Sequence, residues 1–138
     1  MGKRRDGREA AIQFLFSRDI NKELGQDDFD SFFSLCIAPA GAKKFAKELL
    51  EGMLGNLEEI DKKLEPELDN FELKRLSTID RNVLRLATYE MFYLDDAPPI
   101  VCINEAIEIS KRFGTEDSGS FVNGVLDKMK DKLDRPLR

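Results

Sequence analysis

Between residues 42 and 64 the side chains Phe45, Ala46, Leu49, Leu50, Met53, Leu54, Leu57, Ile60 and Leu64 return every three or four positions. That spacing puts apolar groups on one face of a helix, and over about six turns no strand pattern competes with it. The middle of the chain must therefore bury a long helical stripe against other elements. The rest of the sequence offers mostly helices to pack against it.

Residues 7–23 read as a helix with Ala11, Phe14, Leu15 and Arg18 in register, ended by Gly25. Residues 28–37 read as a short helix with Phe29, Phe32, Phe33 and Cys36 on one face, broken by Pro39 and Gly41. The long stripe is expected to form a single helix over 42–64, stopped by Pro66. Residues 71–76 read as one turn and a linker. Residues 77–94 begin with Ser77 and Asp80 in capping-box spacing and carry a stripe of Ile79, Val83, Leu86, Ala87, Glu90 and Met91, with Leu84 beside it. Pro98 and Pro99 suit the start of a helix over 99–113, and Gly114 reads as a left-handed residue after its last turn. The last helix is expected over 118–133, capped by Asp117 or Ser118, with Phe121, Val122, Val125, Leu126, Met129 and Leu133 as its apolar face. IVCI at 100–103 is the best β run, but it continues as helix. The expected fold is all-α, with about seven helices.

Composition excludes more than it selects. The chain has no His, which removes the usual proton shuttle and the commonest metal ligand. Cys36 and Cys102 are the only cysteines and lack a CxxC spacing, so reduced thiols are expected. Neither GxGxxG nor GxxxxGK[ST] occurs, and the acidic pairs lack calcium-loop spacing. No apolar run is long enough for a membrane span, and the first residues do not form a secretory signal. These features point to a cofactor-free binding protein and not to an enzyme.

The net charge of −5 is unevenly spread. Residues 1–18 carry five basic and two acidic side chains, whereas residues 19–72 carry six basic and fourteen acidic ones. Lys3, Arg4, Arg5 and Arg8 make a basic head on an acidic middle. Such a head is either a solvated tail or a phosphate-binding cluster. Positions 8, 12 and 16 fall in line on a helix, so Phe16 lies near that head. By pattern alone Phe16 reads as a core residue. As an exposed ring beside arginines it would instead suit single-stranded RNA. Asn123 and Gly124 are poor helix formers inside the last helix. Gly124 is expected to permit close helix packing, and Asn123 to bond a neighbouring helix, cap, or face solvent.

RRDGREAAIQFLF at 4–16, IDRNVLRLATYEM at 79–91 and VCINEAIEISKRFGTEDSGSFVNGVLDK at 101–128 together resemble the NusB family of bacterial transcription antitermination factors. The resemblance spans nearly the whole chain. It implies one helical domain over 1–138 made of two small packed bundles, roughly 1–70 and 71–138. It implies binding to boxA RNA of ribosomal RNA leader transcripts together with the ribosomal protein NusE. Loading onto the elongation complex with RNA polymerase and other Nus factors, in the cytoplasm, is implied as well. It assigns Lys3, Arg4, Arg5, Arg8, Phe16, Ser118 and Phe121 to RNA. Asp80, Leu84 and Asp117 fall on the protein-partner side. Many relatives carry Tyr where this chain has Phe16, and Asp6 dilutes the basic run. Two other readings fit the same helices: a protein-interaction module without RNA binding, and the excised front domain of a ribosomal RNA cytosine methyltransferase.

Overall fold

The computed structural model describes residues 2–69 and 72–138. Among them are seven α-helices and no strand: α1 (Lys3–Ile20), α2 (Phe29–Ser34), α3 (Ala40–Gly55), α4 (Leu57–Leu64), α5 (Thr78–Tyr93), α6 (Pro99–Phe113) and α7 (Ser118–Lys130). The chain divides into two compact units between Gly55 and Asn56, earlier than the boundary near residue 70 expected from the sequence.

The division explains the main departure in secondary structure. The single helix expected over 42–64 is two helices. Asn56 leaves the helical region, with φ −122° and ψ 18°. The apolar stripe runs on across the break, but Gly55 and Asn56 are both weak helix formers. Past it, α4 starts afresh with Glu58 and Glu59 in its first turn and Lys62 and Lys63 in its last, the arrangement a helix dipole favours.

The first unit is built on α1 against α3. Ala10, Ala11, Phe14 and Leu15 of α1 are buried, as are Ala42, Ala46, Leu49, Leu50 and Met53 of α3. Small residues let the two backbones approach closely. A Cβ on Gly7 would lie 2.7 Å from Cδ2 of Phe45 and 2.9 Å from the Ala42 carbonyl oxygen, so only glycine fits there. Aromatic rings hold α2 in place. Phe14 meets Phe29 and Phe32 edge-on at centroid distances of 5.0 and 5.2 Å, and Phe33 at 6.1 Å.

In the second unit α5 is central and packs on α4, α6 and α7. Nearly every side chain from Asn82 to Met91 is buried. Ser77 Oγ accepts the Asp80 N–H at 3.2 Å, as the capping-box spacing predicts. Arg135 closes the other end, donating to the carbonyls of Met91, Glu90 and Ala97. Those carbonyls lie in the last turn and the loop after it, where backbone acceptors lack helical partners. Lys128 reaches Asp69 at 2.6 Å, and Lys132 pairs with Glu67, so α7 and the turn after it also hold the segment after α4. Asp69 has φ 56°, a left-handed conformation that Asp tolerates better than most residues. The turn expected at 71–76 is a short 3-10 segment over Leu73–Arg75, and its Phe71 end lies outside the described residues.

Candidate nucleic-acid and partner surfaces

α1 begins at Lys3, so the basic head is helical and not a loose tail. Within the first unit its side chains separate by exposure. Lys3 and Arg4 are exposed and Arg5 is half-buried. Arg8 is only 3 % exposed, which withdraws it from direct contact with a ligand. Its guanidinium carbon sits 5.7 Å from the centroid of the Phe45 ring, and that of Arg4 sits 4.8 Å from the same centroid. By its spacing Phe45 reads as one more residue of the core stripe. The structure leaves it half-buried beneath two arginines. The missed signal was the register of Gly41 and Phe45 at i and i+4 on α3, opposite Lys3, Arg4, Gly7 and Arg8.

Phe16 is 45 % exposed, against the core position its pattern alone favours. Ile20, one turn on, is exposed as well. The face of α1 that reaches the core is filled instead by Ile12, Phe14 and Leu15. The ring is thus available for stacking.

In the second unit, α7 starts at the loop carrying Glu116 and Asp117, both exposed. Asp117 occupies the N-cap position, but its side chain makes no capping bond. Ser118 is 1 % exposed, and its hydroxyl accepts the Thr115 N–H at 3.0 Å. The expected cap is therefore a loop clasp, and Ser118 is removed from the ligand-contacting set because it is buried. Gly114 is extended (φ −99°, ψ −161°) and not left-handed. It is glycine for another reason: a Cβ would meet the Ser110 carbonyl oxygen at 2.7 Å and Ser118 Cβ at 2.8 Å. Phe121 is half-buried at the edge of the helix.

Asn123 and Gly124 are exposed, and nothing lies within 4 Å of a Cβ built on Gly124. Close helix packing does not explain this glycine, and nothing in the structure does.

On α5, Asp80 is half-buried in the first turn. Its Oδ1 is buried with no hydrogen-bond partner among the described residues. A carboxylate oxygen in that state is costly to the free protein. Leu84 is fully buried, so it belongs to the core of the second unit and not to a partner surface.

Neither thiol is poised for chemistry. Burial pushes the Cys36 thiol up, with Lys43 acting the other way, and Cys102 is buried. Among the described residues no group of three or more His, Cys, Asp or Glu is placed to hold a metal ion. No described helix is long and apolar enough to cross a membrane.

Known proteins share this architecture. The profile of the NusB family matches residues 5–131. A transcription antitermination protein NusB from Desulfosudis oleivorans is 44 % identical over 137 residues, covering 96 % of this chain and 88 % of that protein. The solved structure of T. maritima NusB superposes with a TM-score of 0.86 at 40 % identity, covering 96 % of this chain and 93 % of that one. A structure of the antitermination factors NusB and NusE in complex with double-stranded RNA gives a TM-score of 0.83 at 28 % identity, covering 95 % of this chain and 98 % of the matched chain.

Proposed function

The chain belongs to the NusB family, and from that premise we propose that it is a transcription antitermination factor. It binds boxA RNA of ribosomal RNA leader transcripts together with the ribosomal protein NusE. In that complex it joins RNA polymerase and the other Nus factors and helps the polymerase avoid premature termination. It works by binding and not by catalysis, needs no cofactor, and acts in the cytoplasm. The observation that carries this reading is the near-full-length likeness to named antitermination proteins, one solved with NusE and RNA.

The geometry supports a division of labour. Lys3, Arg4 and Arg5 supply charge for phosphates, and the exposed Phe16 ring supplies a stacking surface. Phe121 extends the RNA-contacting set in the second unit. Arg8 and Ser118, buried, support their neighbours instead of touching RNA. Asp80 and Asp117 offer carboxylates to a basic ribosomal protein, which would steer association. Leu84 supports α5 from within.

The deciding experiment measures binding of a boxA-containing RNA with and without NusE. Tighter RNA binding in the presence of NusE is expected. Binding of NusE with no RNA affinity in either case would leave a protein-interaction module and overturn the antitermination reading.

A further inference from the structure

We infer that Phe45 is a positioning residue for Arg4, the exposed RNA-binding arginine over its ring, a role that rests on the RNA-binding reading above. It lies on α3, outside the basic head. Three features converge on it.

The first is the pair of cations over one ring, Arg4 at 4.8 Å and Arg8 at 5.7 Å from its centroid. An arginine held over an aromatic face gives up rotamer freedom before a ligand arrives, and its in-plane N–H edge stays suited to phosphate. The cost of ordering that side chain is then already met in the free protein.

The second is the clearance at Gly7. The Phe45 ring edge and the Ala42 carbonyl come so near α1 that a Cβ there would clash at 2.7 and 2.9 Å. The glycine lets the ring reach between residues one turn apart on α1. The third is Gly41, one turn before Phe45, where a Cβ would meet Lys3 Cδ at 2.8 Å. The stem of Lys3 therefore crosses the first turn of α3. One edge of α3, made of Gly41 and Phe45, thus supports Lys3, Arg4 and Arg8 together. Arg8, buried, packs on the ring and holds it, and Arg4, exposed, is the side chain the ring presents.

The test compares boxA RNA affinity, by fluorescence anisotropy over a salt series, for the wild type, Phe45→Leu, Phe45→Tyr and Arg4→Ala. A protein carrying trifluorinated phenylalanine at position 45 completes the set; it keeps the ring's shape and drains its face of negative charge. Loss of the ring or of its charge should weaken RNA about three- to tenfold. Phe45→Tyr should stay within about twofold of wild type. In the Arg4→Ala background the fluorinated ring should cost almost nothing further, because the two act as a unit. NusE affinity should not move.

Wild-type affinity in the fluorinated protein would overturn the inference, as would a loss of equal size whether or not Arg4 is present. If Phe45→Leu fails to fold, the fluorinated ring still decides. Failure of the wild type to bind RNA at all would overturn the parent reading, and that is seen before any variant is made.

Discussion

Arg85 and Asp61 are joined by two hydrogen bonds, Nε to Oδ1 at 2.8 Å and Nη2 to Oδ2 at 2.9 Å. This bidentate pair fastens α4 to the central helix α5. The side chains are 14 % and 25 % exposed, so the pair lies between a surface ion pair and a buried one. Arg85→Ala is expected to destabilise the protein by roughly 1–3 kcal/mol, measured by urea unfolding. Arg85→Lys should recover only part of this, because an ammonium cannot reproduce the fork.

The glycines at 7 and 124 should respond in opposite directions to the same substitution. Gly7→Ala drives a methyl into the Phe45 ring and the Ala42 carbonyl, and the second of these is backbone that cannot easily yield. A loss of about 1–3 kcal/mol is expected. Gly124→Ala adds a methyl in open space on an exposed helix face and should stabilise by about 0.5–1 kcal/mol. Parallel thermal melts check both. Destabilisation by Gly124→Ala would mean that the space beside Gly124 on α7 is filled.

These contrasts show which parts of the molecule were legible in sequence. The limits of α6 were plain because Pro99 and Gly114 are chemically committed at its two ends, even though Gly114 answers to crowding by Ser110 and Ser118 and not to a left-handed turn. The α3–α4 break was hidden because hydrophobic period and backbone continuity are separate properties. The stripe persisted through Gly55 and Asn56 while the helix did not. The basic head was visible as charge, but charge does not report depth. Arg8 is buried and Phe16 exposed, the reverse of what residue type alone favours, because which side of α1 meets α3 is decided by Gly7 and the small residues around it. Leu84 shows the same limit: it lies beside the apolar stripe, but α5 is buried on nearly all sides, so a place outside the stripe does not mark a residue as surface.

Phe16 and Ser118 separate contact from support. Phe16→Ala removes an exposed ring, so stability should change by less than about 0.5 kcal/mol. RNA affinity should fall about tenfold if one base stacks on it. Ser118→Ala should do the converse, costing about 1 kcal/mol of stability through the lost Thr115 bond. Its effect on RNA should be smaller than that of Phe16→Ala. Unfolding curves paired with anisotropy titrations on the same samples check the pattern, and a larger RNA defect from Ser118→Ala would return that residue to the contact set.

Asp80 carries the last prediction, because its orphaned Oδ1 and its place in the first turn of α5 pull in different directions in the free protein. The carboxylate gains from the helix N-terminus, where free N–H groups favour negative charge. One of its oxygens nevertheless gives up water without finding a donor among the described residues. Oδ1 is closed to a partner as it is to water, but the part of the side chain that stays open carries the charge, so the residue favours the bound state through steering at a distance and through pairing on contact. Asp80→Asn should therefore slow NusE association at low salt and also speed dissociation. Asp80→Lys should do both more strongly, since it places a like charge against the partner. Surface plasmon resonance over a salt series separates the two components: the association defect should fade as salt rises, while the dissociation defect should persist because a contact pair is screened far less than a long-range field. Unchanged kinetics for Asp80→Lys at low salt would remove Asp80 from the partner surface.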